Sequence, residues 1–287
     1  MTQRPNEDLP STDDDRSVTS TTVVVGDLLK MPTRRSIMAT CQGRCQLAIA
    51  DPPYNCGLKY DDDPTSDKMG YREYENFTYA WLTTTRNTLT SNGSLWVVID
   101  EQNLGMMLKM VADTGFKLRR HCIWHYTFGQ NQRNNFTPAF TNLLYCVLDP
   151  KHFIFNSNDP KLRVKSWRQK NRDPRANPDG RLPDNVWPIP RIVGNSKERC
   201  PWMPTQLPIQ LVSRMVRACS TAGATVFDPF GGSGTTAVAA NLLKRHAVLC
   251  ERSRLYASKI MERVLALSPD SIVGVMDRSK ESESPDV

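Results

Sequence analysis

Nowhere in the 287 residues is there an apolar run approaching the roughly 18 that a membrane-spanning helix needs. The first residues, MTQRPNEDLP, are too polar for a secretory signal, and a cytoplasmic location is expected. Metal-ligand spacing is missing as well. Cys41 and Cys45 sit four apart, as do His121 and His125, but neither pair has a second pair nearby at zinc-site spacing. No metal is expected, and the eight scattered cysteines read as free thiols of a reducing compartment. There is no internal repeat. Membrane proteins, disulfide scaffolds and zinc modules are thereby set aside.

What is present is enough chain for one large domain or two small ones and a net charge of +7 placed in one region. Between Lys151 and Cys200 twelve Lys and Arg face five Asp and Glu, so this block alone carries the whole excess. A basic block in an otherwise neutral chain points to a polyanionic partner, with a solvated loop as the alternative.

Residues 1–20 and 269–287 are polar and read as flexible tails, although IVGVM interrupts the second. Between them apolar strands alternate with helical patterns. TTVVVGD, CQLAIAD, SLWVVID, FKLRRHCIWHYTF, ATVFDPF and HAVLCE read as strands. Residues 71–90 place Tyr74, Phe77, Trp81, Thr85 and Leu89 at helical spacing ended by SNG, and EQNLGMMLKMVADTG is a helix stopped at Gly115. FTNLLYCVLD and HFIFN are expected to form a hairpin. QLPIQLVSRMVRACS, GTTAVAANLLKR and RLYASKIMERVLAL are the later helices. The alternation predicts an α/β domain with a doubly wound, mostly parallel sheet. It divides at 21–150, 151–200 and 201–268, the middle segment being basic and rich in proline.

Two strand ends carry chemistry. In DPPYN, Asp51 is followed by Pro52 and Pro53, which cannot donate backbone hydrogen bonds and hold the chain extended. They fix the Asp51 carboxylate, the neighbouring carbonyls and the Tyr54 ring in a stiff pocket suited to a planar group bearing an NH2. In VFDPFGGSGTTA a strand runs through a glycine-rich turn into a helix, and Glu251 lies 19 residues beyond Gly232 at the next strand end. Such a turn approaches a ligand closely, and such an acid accepts ribose hydroxyls. Too little chain follows Glu251 for a dinucleotide fold, so the nucleotide half must be completed by N-terminal strands. The sheet is therefore permuted.

The ordered series DPPYN, ERCPWMPTQLP and DPFGGSGTT, spread over residues 23–267, resembles the β-class amino-group DNA methyltransferases. That resemblance implies a circularly permuted S-adenosylmethionine-dependent methyltransferase fold, with 21–150 as the catalytic half, 151–200 as target-recognition segment and 201–268 as the cofactor half. By the same resemblance, Asp51, Pro52, Pro53 and Tyr54 are catalytic. Asp228, Phe230, Gly232, Gly234 and Thr235 surround the methionine end of S-adenosylmethionine, Glu251 takes the ribose and Asp27 the adenine amino group. Pro204, Thr205 and Gln206 match an element that packs over the cofactor, where the family's flanking His and Lys are here Met203 and Leu207.

The resemblance further implies methylation of an exocyclic amine in double-stranded DNA. Asp51 and the Pro52 carbonyl would accept the amine hydrogens, and the base, extruded from the duplex, would stack on Tyr54. Trp124, Tyr126 or Phe128 is a candidate for the opposite face, with burial in the core as the other reading. Lys161, Arg163, Lys165, Arg168, Lys170, Arg172 and Arg175, interleaved with Trp167, are the expected DNA contacts. The chain contains no Pro-Cys dipeptide, against a carbon-5 cytosine methyltransferase with its cysteine nucleophile. Asp51 at the head of the motif favours adenine N6 over cytosine N4, since the family's N4 enzymes mostly begin with Ser. A cognate restriction endonuclease is a candidate partner, and monomer or homodimer stays open. RNA or small-molecule methylation, and a DNA-binding protein without activity, are the competing readings.

Overall fold

The computed structural model describes residues 18–59, 67–127, 129 and 132–281. Among the described residues, the chain runs β1 (Ser20–Val25), α1 (Met31–Cys41), β2 (Cys45–Ala50), α2 (Tyr71–Thr88), β3 (Leu89–Ile99), α3 (Leu104–Asp113), β4 (Lys117–His125) and β5 (Phe140–Val147). It continues with α4 (Trp167–Lys170), β6 (Val186–Pro188), α5 (Ile209–Cys219), β7 (Thr225–Asp228), α6 (Thr235–Leu242), β8 (His246–Glu251), α7 (Arg254–Leu267) and β9 (Ile272–Asp277).

The strands form one nine-stranded sheet in the order β6-β4-β5-β3-β2-β7-β8-β1-β9. Only β5 runs against its neighbours, pairing antiparallel with β3 and β4. Strand side chains alternate between two cores. Val23, Val25, Leu47, Ile49, Trp96 and Val98 pack with Val212, Met215 and Val216 of α5, Ala237 of α6 and Ile260 of α7. Val24, Ala48, Ala50, Leu95 and Val97 pack with Ile37 of α1, Trp81 of α2 and Met107 of α3. Where both faces of a sheet are covered its strands are apolar at successive positions, which is why Leu47–Ala50 of β2 and Leu95–Ile99 of β3 read as continuous runs.

The permutation expected from the motif order is present: the first strand, β1, lies near one edge beside β8, and β7 meets β2 at the centre. Four local expectations are corrected. α2 ends at Thr88, and Ser91–Gly93 belongs to β3, because Thr90 and its neighbours extend the ladder beside Cys45. HFIFN forms no strand; Phe153 instead packs on Tyr145. α1, begun by Pro32 in its first turn, was not foreseen. The segment read as a C-terminal tail contributes β9, parallel to β1 from Ser20↔Ile272 to Val25↔Asp277. Of the expected N-terminal tail, residues 1–17 lie outside the described residues.

Candidate active site

Parallel strands bring the loops that follow them to one edge of the sheet, and ligands of such folds sit there, where strand order reverses. At that edge a cleft of about 1170 Å³ is lined from the ends of β1, β2, β7 and β8. Among the predicted residues, Asp27, Asp51, Pro52, Pro53, Tyr54, Thr205, Asp228, Phe230, Gly232, Thr235 and Glu251 line it. Residues 200 positions apart in sequence therefore meet at one opening.

The turn after β2 is braced at nearly every polar group. The Tyr54 hydroxyl donates to Asp51 Oδ1 at 2.7 Å. The Tyr74 hydroxyl donates to the Pro53 carbonyl at 2.7 Å, and Asn103 Nδ2 to the Tyr54 carbonyl at 2.8 Å. Asn55, in the left-handed region at φ 58°, donates its N–H to Asp67 Oδ1, and its side chain exchanges two hydrogen bonds with the Met69 backbone. The buried Asp67 carboxylate also accepts the N–H groups of Cys56 and Leu58. Among the described residues, no hydrogen bond falls on the Pro52 carbonyl. The turn thus presents Asp51 and the Pro52 carbonyl while the carbonyls of Pro53 and Tyr54 are occupied.

The glycine turn after β7 is shaped by close packing. Gly232 and Gly234 have φ of 50° and 74°, and a Cβ on Gly234 would stand 2.8 Å from Ile260 Cγ2. Gly234 lies beneath the turn rather than in its wall, and it caps α6. Phe230 is held edge-on by Trp81, 5.4 Å between centroids. Glu251 accepts from the Gly232 N–H and the Ser253 N–H, both at 2.8 Å, so the acid fixes the turn it shares the cleft with.

Burial pushes three of these carboxyls up. Asp51 stands at about 6, partly offset by the Tyr54 hydrogen bond. Glu251 stands at about 7, raised by burial against three backbone donors, Ser253, Gly232 and Arg252. Asp228 reaches about 8, with burial the largest cause and the nearby Asp51 and Glu251 charges adding to it. Asp27 and Glu73 bring the acids on the wall to five, faced by one cation, Arg252. An acidic cleft with a glycine cradle fits a cationic nucleoside such as S-adenosylmethionine, whose sulfonium and ammonium charges and ribose hydroxyls all suit carboxylate partners.

Some predicted residues are elsewhere. Gln206 turns away from the cleft: its Oε1 accepts from the Cys200 N–H and its Nε2 donates to the Glu198 carbonyl, tying the loop to itself. Leu207 lines the wall at the position of the family's Lys, and Met203 at that of its His. Trp124 is buried and donates to the Ile189 carbonyl, a core role, and Tyr126 donates to the Phe140 carbonyl. Phe128 lies outside the described residues. In the basic block, Lys161, Lys165, Arg168, Lys170, Arg172 and Arg175 are exposed. Arg163 is not: it donates to the carbonyls of Ser157, Asp179 and Gly180 and staples the segment together. Arg175 is paired with Asp173. The bracing residues Asp67, Tyr74 and Asn103 were missed, since only Tyr74 carried a signal, as part of an apolar helix face.

Comparison with known proteins agrees with this geometry. The profile of the N6_N4_Mtase family, described as DNA methylase, matches residues 45–262. The chain is 30% identical over 219 residues to Type II methyltransferase M.HpaI of Haemophilus parainfluenzae, covering 76% of this chain and 67% of that protein. It is 27% identical over 216 residues to Type II methyltransferase M.ScaI of Streptomyces caespitosus, covering 70% and 69%. Among solved structures, the cytosine-N4-specific PvuII DNA methyltransferase superposes with a TM-score of 0.64 at 14% identity, over 90% of this chain and 96% of that one. The M1.HpyAVI–SAM complex superposes at 0.60 with 16% identity, over 85% and 98%. These two likenesses are of fold. With the family profile covering most of the sequence, the chain belongs to the amino-group (N6/N4) DNA methylases, the S-adenosylmethionine-dependent enzymes that methylate DNA bases on an exocyclic nitrogen.

Proposed function

We propose that this enzyme methylates adenine N6 in duplex DNA, with the turn Asp51–Tyr54 as the acceptor pocket and the Phe230–Thr235 turn, Glu251 and Asp27 as the cofactor cradle. The carrying observation is the arrangement at Asp51: one carboxylate oxygen held by Tyr54, the other unengaged among the described residues, beside a Pro52 carbonyl with no hydrogen bond. An exocyclic amine is a poor nucleophile because its lone pair is conjugated into the ring. Two acceptors on its two hydrogens draw the nitrogen toward tetrahedral geometry and free that pair. Bound in the cradle, S-adenosylmethionine supplies an electrophilic methyl.

The residues then have separable tasks. Asp51, ionised above about pH 6, accepts one amine hydrogen bond and Pro52 the other. Tyr54 offers its ring to one face of the base, which must leave the stack to enter so enclosed a turn. Asp228 favours positive charge at the methionine end, and Glu251 accepts the ribose hydroxyls. Catalysis is positioning and electrostatics, with no covalent intermediate on the protein. Lys165, Arg168, Lys170 and Arg172 meet phosphates, and Trp167, 73% exposed on its short turn, lies among them.

Adenine is chosen over cytosine on Asp51, the residue that heads the motif in most adenine enzymes of the family. Nucleoside mass spectrometry of duplex DNA treated with the purified protein tests it. N6-methyladenine is expected; N4-methylcytosine alone would reverse the choice of base and leave the pocket assignment in place. The Type II relatives support a cognate restriction endonuclease as the functional partner, acting on the same DNA in the cytoplasm.

A further inference from the structure

The connection between β4 and β5 carries a group of side chains that neither the cleft nor the basic block accounts for. Gln132, Arg133, Asn134, Asn135 and Phe136 are all exposed, and Phe136, at 93%, is the most exposed large apolar side chain among the described residues. Isolated apolar residues on a surface are ordinary. This one closes a run of three amides and a guanidinium, the groups that pair in two-pronged fashion with adenine and guanine edges in the major groove.

Its position follows from the register. Ala50 at the end of β2 lies opposite Val97. Two residues on, Ile99 pairs with Asn142, which pairs with Ile123 of β4. β4 continues to His125, so its end stands about three residues past the level of Asp51. At about 3.3 Å per residue and 4.8 Å between strands, the connection springs from a point roughly 10 Å above Asp51 and 14 Å to its side. It leaves the same edge of the sheet as the catalytic turn. A duplex with its target base in the cleft lies over this edge of the sheet, and its major groove, about 12 Å wide, is broad enough to admit such a segment. At the foot of the connection Arg191 lies over the Tyr126 ring, 5.1 Å from its centroid, adding positive charge on the approach.

We infer that residues 132–136 form a second DNA-reading element beside the catalytic cleft, in which the amides and Arg133 contact base edges next to the methylated base and Phe136 enters the stack. The inference rests on the reading of the cleft as the site where a duplex base is methylated. Phe136, carried on an exposed segment, is placed to occupy room opened at the base step when the target leaves it, as apolar wedges do elsewhere. The amides set which flanking bases are accepted.

Two full-length variants test this, Phe136→Ala and the triple Gln132→Ala/Asn134→Ala/Asn135→Ala, compared with the parent for cofactor affinity and for methylation of a duplex library read by sequencing. Phe136→Ala is expected to lower kcat/KM on duplex DNA at least about tenfold with unchanged cofactor affinity, and Phe136→Trp to restore most of it. The triple variant is expected to lose about tenfold discrimination at one or two positions flanking the methylated base. A parent that methylates duplexes, with variants matching it in rate and site preference, overturns the inference alone. A parent that methylates no DNA sinks the reading of the cleft and this inference with it.

Discussion

Tyr54 and Asp51 are bonded to one another across the two prolines that separate them, hydroxyl to carboxylate oxygen at 2.7 Å. The ring proposed to stack on the base thus also carries the hydroxyl that favours the ionised form of the acid. Tyr54→Phe preserves the ring and removes the donor, so the Asp51 carboxyl rises further above about 6. A hydrogen bond to a charged group contributes about 1.5–3 kcal/mol, equal to one pH unit or more. The acidic limb of the kcat/KM profile should move upward by about that amount, with near-parental activity above about pH 8.5. Steady-state rates from pH 5.5 to 9 check it; an unchanged profile would place the role of Tyr54 in stacking alone.

Cofactor binding should expel protons. Burial holds Asp51, Glu251 and Asp228 at about 6, 7 and 8, whereas an unfolded chain ionises such groups near pH 4. Between those limits the native state holds protons that the unfolded state has released, so stability without ligand falls as pH rises from about 5 to 8. A cationic ligand favours the ionised forms. Its affinity should therefore strengthen with pH up to about 8 and level off above. Calorimetry near pH 7 in buffers of different ionisation enthalpy should register proton release, and a pH-independent affinity without release would refute the linkage.

Within the basic block, charge and architecture separate by residue. Neutralising Lys165, Arg168 and Lys170 together should flatten the salt dependence of DNA binding by up to about 2.7 in log–log slope, at about 0.9 per phosphate contact. The melting temperature should barely change. Arg163→Ala should behave in the opposite manner, lowering stability through three lost carbonyl contacts and affecting the slope less. Binding isotherms at several salt concentrations, with thermal unfolding of both variants, distinguish the two classes.

Much of the fold was readable because a sheet covered on both faces leaves runs such as LAIA and LWVVI with no polar position to misread. The two glycine positions at φ above zero and the diproline were readable for the same reason: few other residues can occupy such backbones. Gln206 illustrates the limit. Its place in a motif was visible, but whether its amide faces a ligand or its own loop depends on Cys200 and Glu198, contacts made across a turn of irregular shape. Arg163 failed similarly, since sequence counts a charge and only structure shows that its donors are taken by carbonyls. Asp67 gave no signal at all, as nothing in the chain links it to the backbone of Asn55 except the folded turn.

The placement of β1 between β8 and β9 bears on how the enzyme is made. Gly26 donates to the Glu251 carbonyl at 2.9 Å, and the Arg278 N–H to the Val25 carbonyl at 2.7 Å. The strand end that carries Asp27 leaves the ribosome early, yet both of its neighbours come from the far end of the chain. At about 5–20 residues per second, roughly 11–45 s separate the synthesis of Asp27 from that of Glu251. A nascent chain therefore carries DPPYN before the Phe230–Thr235 turn and Glu251 exist, and the proposed methyl-donor site can close around Asp27 only once β8 has been made.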